Sequence, residues 1–298
     1  MIKELIYFIR FFWVMGLIVI NTILVFSIVF FIVVAKVFFS KTSFNTFLTK
    51  WLVIFSELWI DNNNKLVKWF VPVRFTVTSD LNPTKIDVYL VISNHQSWSD
   101  ILVLQNQLNR KLPPFKFFLK KELIWIPLMG IVWWAQDNIF MHRHTKKELE
   151  RNPALQGKDL EITQRACAKF KKDRVTIINF VEGTRYTGEK HAKQKSPYRH
   201  LLKPKTGGVA FTLAAMAGRI ETLLDVSIHY ASSDPTLYKL LSGQIPEIKI
   251  LIQTVSIPKH FSESDYNVDN AFKVEIQQWL SDRWLAKDAW LDQQSKHN

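Results

Sequence analysis

Cysteine is almost missing from this chain: Cys167 is the only one among 298 residues. A single thiol excludes an internal disulfide and any paired-cysteine metal or redox site, which suits a reducing compartment. Carboxylates are scarce beside cations, 26 Asp and Glu against 39 Lys and Arg, for a formal charge of +13. That balance favours an anionic partner, whether nucleic acid, an acidic membrane surface or a phosphorylated substrate. Internal repeats and low-complexity blocks are also lacking. His191, His200 and His229 lack the spacing of metal ligands, so no metal site is expected.

Aromatic and aliphatic residues, in contrast, are abundant. Hydrophobic residues make up 48% of the chain, with 22 Phe and 11 Trp, a load that suits a protein with one surface in lipid. The 25 residues from Phe11 to Ala35 carry no charge and are framed by Arg10, Lys36 and Lys41. This run is long enough to cross a bilayer, and too long for the apolar core of a secretory signal. A second apolar segment, Phe44 to Ile60, is interrupted by Lys50 and Glu57 and reads as an interfacial helix or the return arm of a hairpin. The expected division is therefore a hydrophobic membrane segment over residues 1–65 and a separate domain over 66–298. The basic bulk of the chain is expected on the cytoplasmic face of a cell membrane.

Beyond residue 66, short apolar runs alternate with helical patterns. Strands are predicted at Arg74–Thr78, Ile86–Ile92, Val175–Val181, Leu223–Tyr230 and Ile248–Val255. Helices are predicted near Ser97–Asn109, Pro153–Lys172 and Gly208–Gly218, with the apolar segment Phe115–Trp134 and a polar basic loop up to Lys205 between them. Phe272, Ile276, Trp279, Leu280 and Trp284 recur at helical spacing, which predicts a C-terminal helix docked on the core. This order implies an α/β fold with a parallel or mixed sheet flanked by helices.

Two constellations carry chemistry. The run Ser93-Asn94-His95-Gln96-Ser97-Trp98-Ser99-Asp100 places an imidazole and a carboxylate five positions apart, directly after a buried strand. A base and its orienting partner have this form, although a histidine near an aspartate is common, and Ser97 to Asp100 could equally cap the next helix. Glu182-Gly183-Thr184-Arg185 follows a second apolar strand, so both sets emerge at one sheet edge if the strands are parallel. Arg185 is the expected forked donor to a phosphate ester, with Glu182 holding it and Gly183 admitting close backbone approach.

These residues resemble the first and third blocks of the glycerolipid acyltransferases typified by bacterial lysophosphatidic acid acyltransferase. His-x4-Asp followed 87 residues after the histidine by Glu-Gly-Thr-Arg, behind a hydrophobic N-terminus, is a specific combination. A second block is recognisable in Phe118 to Leu123, Pro127, Gly130 and Ile139 to Arg143. In the fourth block, Leu223 to Tyr230 lacks the proline of the simplest bacterial members. With Leu202 to Gly208, that places the chain nearer a branch that includes lysocardiolipin- and lysophosphatidylinositol-type enzymes and their bacterial relatives.

The resemblance implies a glycerol-3-phosphate-acyltransferase-like mixed sheet preceded by a hydrophobic helix or helical hairpin. It also implies acyl transfer to the free sn-2 hydroxyl of a lysophospholipid, with acyl-CoA or acyl carrier protein as donor substrate and no cofactor. His95 is the expected general base and Asp100 its orienting carboxylate, with the substrate hydroxyl standing where a protease has its serine. Glu182, Gly183, Thr184 and Arg185 are expected in acceptor binding, with Lys120 and Arg143 as further phosphate ligands. Lys120, Lys121 and Arg143 could also form a solvated basic face, and Leu123 to Trp134 could face either core or lipid. A different class, a membrane-tethered binder of nucleic acid or anionic lipid, would use the charge of +13. It has no need of His95 with Asp100, and no nucleic-acid motif is present, so no nucleic acid is expected.

Overall fold

A computed structural model describes residues 2–39, 43–83, 88–126, 129–136, 138–141, 158–168, 173–264, 266 and 268–296. Among these, a seven-stranded sheet is built from β1 (Arg74–Ser79), β2 (Val88–Ser93), β3 (Phe115–Lys120), β4 (Ile139–Met141), β5 (Val175–Phe180), β6 (Thr222–Tyr230) and β7 (Glu247–Ser256). Its order is β1-β7-β6-β2-β5-β3-β4. Every neighbouring pair is parallel except β6 with β7, so five strands point one way and β7 with β1 point the other. This is the mixed α/β sheet the sequence implies.

β2 and β5 are parallel neighbours, with Val88 opposite Val175 and Ser93 opposite Phe180. The loops after both strands therefore leave from the same carboxyl edge, as ligand sites in such sheets require. Strand alternation sends Val88, Leu90 and Ile92 to one face of the sheet and Tyr89 and Val91 to the other. All five are almost wholly buried, each worth roughly 1.5–3 kcal/mol against exposure, which fixes the register of the central strand.

Helices cover both faces. On the first lie α5 (Lys158–Ala168), α7 (Gly207–Met216) and α9 (Asn270–Lys296), with Cys167, Leu213, Phe272, Ile276, Leu280 and Trp284 in one core. The predicted docking of the C-terminal helix is thus observed, and its Lys287 forms a buried ion pair with Asp225 of β6 at 2.6 Å. On the second face lie α3 (Ser99–Leu108) and the first half of α1 (Ile2–Phe38), which places Val14 in the core. Shorter elements are α4 (Met129–Ala135), packed against α1, α6 (Gly188–Gln194), α8 (Leu237–Ser242), whose Leu240 and Leu241 enter the second core, and 3-10 turns at Lys121–Trp125 and Lys259–Ser262.

α1 and α2 (Ser43–Phe70) pack as an antiparallel hairpin, so Phe44 to Ile60 is a return arm. Asn21 pins the pair: its Nδ2 donates to Asn63 Oδ1 at 2.8 Å, and its Oδ1 accepts from Asn62 Nδ2 at 3.0 Å. Trp59 Nε1 donates to Thr22 Oγ1 at 3.0 Å while its ring stacks on Phe26. Polar pairs inside an apolar interface specify register, because a slip leaves them unsatisfied. α1 is long and apolar enough to cross a membrane. Near its start it also grips α8, where Arg10 Nη1 donates to the Ser242 carbonyl at 2.9 Å and Phe11 packs on Tyr238.

Candidate active site

The turn after β2 is built by side chains that act as backbone. Asn94 accepts from the Ile228 N–H and donates to the Ile228 carbonyl, both at 2.9 Å, so its amide extends the ladder to β6 while its own main chain leaves the sheet. His95 follows, with its ring stacked on Phe180 at 4.1 Å between centroids. Its side chain is 15% exposed, whereas that of Asp100 is 1% exposed. One face of the imidazole is therefore braced by protein and its outer edge stays reachable.

His95 Nδ1 lies 2.7 Å from Asp100 Oδ2. The same oxygen accepts the Gln96 N–H at 2.7 Å and the Ser97 N–H at 2.9 Å. Asp100 Oδ1 accepts from the Tyr230 hydroxyl at 2.6 Å. A buried carboxylate with four donors cannot rotate without losing several bonds, so it fixes the imidazole tautomer with Nδ1 protonated and Nε2 free to accept. Asp100 reaches back into the loop and does not cap α3, whose first amides are served by Ser97: its Oγ accepts the Ser99 N–H at 3.1 Å.

Glu182 does not hold Arg185, contrary to the expectation from sequence. Its Oε1 accepts the His95 N–H and its Oε2 the Leu202 N–H, each at 3.1 Å, and it is fully buried. Burial pushes its carboxyl up to about 8; the two amide donors pull the other way and the nearby Asp100 charge adds to the rise. Glu182 is thus a strut that ties the loop after β5 to the turn that carries His95. A further link runs through Leu202, whose carbonyl accepts from Trp284 Nε1 at 3.0 Å, and so connects the turn to α9.

Arg185 lies instead over the ring of Trp98, 5.0 Å from its centroid, and is exposed. Trp98 is one of the four residues between His95 and Asp100, so the guanidinium is parked beside the pair by a cation–π contact. Gly183 has φ of +72°, and a Cβ there would meet Lys205 Nζ at 3.1 Å. Thr184 Oγ1 accepts from Lys190 Nζ at 2.8 Å, and the same ammonium bonds the Arg185 carbonyl at 3.0 Å. Lys190 went unnoticed except as part of a basic loop. Lys120 ends β3 at the same edge, beyond β5, exposed and outside the hydrogen bonds of the pair. Arg143 lies outside the described residues, as do Ile86, Asp87 and the ends of the predicted 153–172 helix.

One hollow adjoins the site and a second lies by the start of β3. A polar basin with about 1020 Å³ of empty space is walled by Gln96, Tyr186, His200, His229 and Tyr230. An apolar groove of about 690 Å³ lies between the hairpin and β3, lined by Phe26, Trp59, Phe115, Phe117 and Trp133. Among the described residues no three His, Cys, Asp or Glu side chains converge as a metal cage.

A family model described as Acyltransferase matches residues 74–231, more than half of the chain. The chain belongs to the acyltransferase family. Similar curated acyltransferases include the 1-acyl-sn-glycerol-3-phosphate acyltransferases 3 and 2 of Arabidopsis thaliana. These are 27% identical over 246 residues and 29% identical over 255 residues, covering 76% and 80% of this chain. The human gamma form of that enzyme is 26% identical over 211 residues, covering 67% of this chain and 51% of its own. The chain spans 60% and 61% of the two plant proteins. Its fold resembles the crystal structure of the 1-acyl-sn-glycerophosphate acyltransferase of Thermotoga maritima, with a TM-score of 0.55 at 18% identity, covering 94% of this chain and 97% of that one.

Proposed function

We propose that this acyltransferase-family chain moves a fatty acyl group from a thioester, acyl-CoA or acyl carrier protein, to the free sn-2 hydroxyl of a lysophospholipid. The acceptor proposed first is 1-acyl-glycerol-3-phosphate, giving phosphatidic acid. The observation that carries the reading is the His95–Asp100 pair, with Nδ1 engaged and the outer ring edge exposed at the carboxyl end of the sheet.

In the proposed step, His95 Nε2 takes the acceptor's hydroxyl proton as that oxygen attacks the thioester carbonyl. A C–O bond forms, the C–S bond breaks, and the proton passes from the imidazolium to the departing thiolate. Asp100 stabilises the imidazolium in between. No protein nucleophile is called for, and the single thiol, Cys167, is buried in the core away from the turn. Arg185, with Lys120 and Arg143, is proposed to take the acceptor's phosphate, and Thr184 and Gly183 to shape the loop around it. Glu182 is proposed to act on the acceptor only by holding this loop and His95 together.

The hairpin supports a membrane-bound reading. Phe12, Trp13, Ile20, Leu24 and Phe31 of α1 are exposed, as are Phe47, Trp51 and Ile54 of α2, a larger apolar surface than a water-facing protein tolerates. The proposed anchor is the segment read as 1–65, with α2 continuing to Phe70, and the proposed catalytic portion is 66–298, on the cytoplasmic side. Membrane lipid is the partner this surface fits, and the acyl chain is proposed to follow the apolar groove between the hairpin and β3.

The test is thiol release from acyl-CoA by the full chain in lipid vesicles, with a panel of lysophospholipids. Free thiol is expected only when an acceptor is added, fastest with lysophosphatidate. Faster turnover of lysocardiolipin or lysophosphatidylinositol would reassign the headgroup to the branch suggested by Leu223 to Tyr230. No release with any acceptor would overturn the reading.

A further inference from the structure

Tyr230 closes β6 and is 3% exposed, yet its hydroxyl reaches across to the catalytic turn. Among the described residues, it is the single donor to Asp100 Oδ1, while His95, Gln96 and Ser97 all address Oδ2. The 2.6 Å contact is at the short end for a hydroxyl on a carboxylate, as expected of a charge-assisted bond shielded from water. Its place is fixed from outside the turn: Asn94 locks β2 to Ile228, two residues before Tyr230, so register alone delivers the phenol to the carboxylate.

We propose that Tyr230 is a positioning residue that sets how strongly Asp100 draws on His95, by engaging the carboxylate oxygen that the histidine does not use. The inference rests on the proposed acyl transfer and adds a third member to its pair. Its physics is a sharing of charge. A hydrogen bond at Oδ1 withdraws electron density from Oδ2, so the carboxylate stabilises the imidazolium less. It also stops rotation of the carboxylate about its own bond, which would exchange the two oxygens. Burial, and then the adjoining Asp100 charge, hold the phenol well above its usual range, so it remains the donor.

The other charged groups around the pair are occupied elsewhere. Glu182 comes from the β5 loop and accepts two backbone amides; Lys287 comes from α9 and pairs with Asp225; Arg185 stands over Trp98. Among the described residues, none of these makes a hydrogen bond to Asp100. Tyr230 is the adjustable contact.

The test compares wild type with Tyr230→Phe, and with 3-fluorotyrosine placed at position 230, in vesicles with acyl-CoA and whichever lysophospholipid the wild type accepts. For Tyr230→Phe, kcat is expected to fall about tenfold with KM for both substrates unchanged. The acid limb of its pH–rate profile should move up by about half a pH unit, because Asp100 then stabilises the imidazolium more. The fluorinated phenol is a stronger donor, so its acid limb should move the other way. A packing defect cannot shift the limb in opposite directions in two variants. Limbs that coincide with wild type, shifts of the same sign, or a change confined to KM would overturn the inference while leaving acyl transfer intact. A wild type that transfers to no acceptor would instead overturn the proposed function.

Discussion

At the residue scale, the site is a set of short polar bonds whose partners are mostly main chain. Asp100 takes two amides besides His95, Glu182 takes two more, and Asn94 pairs with Ile228. Such roles explain what was hidden in the sequence. His95 and Asp100 were legible because spacing alone brings them together. Glu182 was misread as a partner for Arg185 because nothing in a residue string says which carboxylates accept distant backbone N–H groups. Tyr230 was visible only as a strand residue, since its role depends on the pairing of β6 with β2. The strut predicts that Glu182→Ala, which leaves the His95 and Leu202 N–H groups without their acceptor, lowers kcat by at least tenfold. Steady-state kinetics check this, and an unchanged kcat would remove Glu182 from the support of His95. Trp98→Ala frees Arg185, so KM for the acceptor should rise about three- to tenfold at constant kcat, in keeping with a cation–π contact of about 0.5–2 kcal/mol.

At the scale of elements, five of the seven described strands were readable, whereas β3 and β4 lay unassigned in an apolar segment and a motif block. β2, β5, β6 and β7 all fall within two residues of their predicted ends where described, because continuous Val, Ile and Leu runs bounded by polar turns have few other solutions. α6 was missed inside the basic loop, since Gly188 to Gln194 carries no apolar stripe and its helix begins on a Thr187 cap that accepts the Lys190 N–H. Leu123 to Trp134 turned out divided. Met129 and Val132 pack on the hairpin, whereas Trp125 and Trp134 are exposed. Register and hairpin geometry decide such cases, and composition does not report them. The apolar groove against the hairpin yields a prediction at this scale. Val53 of α2 lines it, so Val53→Trp should shift the preferred acyl-CoA to chains shorter by a few carbons, measured as kcat/KM across a chain-length series. An unaltered chain-length profile would place the acyl chain elsewhere.

For the whole molecule, a sheet with the His95 turn at one edge is held between a C-terminal helix and an apolar hairpin, and titratable groups buried in that frame make stability depend on pH. Burial, with the nearby Lys249 and His200 charges, lowers His229 from 6.5 to about 4, so the fold prefers it neutral. Its contribution is present above pH 6.5 and is lost as pH falls through 4. Glu182 works in the opposite sense. Raised from 4.5 to about 8, its contribution is full below pH 4.5 and is lost as pH rises through 8. The two slopes oppose each other between pH 4.5 and 6.5, so thermal melting of the vesicle-bound chain should be flat there and decline toward pH 8 and toward pH 4. His229→Phe should remove the acid-side decline and, with the Glu182 slope then unopposed, turn the flat region into a fall that begins near pH 4.5; an acid-side decline unchanged in that variant would assign it to other groups.

The central claim is that His95 takes the acceptor's proton. Its most direct measurement is transfer of a radiolabelled acyl group from acyl-CoA to lysophosphatidate by wild type and His95→Ala, in the same vesicles and with matching circular dichroism. Loss of about 10²–10⁴-fold in kcat with the fold intact is the predicted result. Transfer by His95→Ala at the wild-type rate would contradict it.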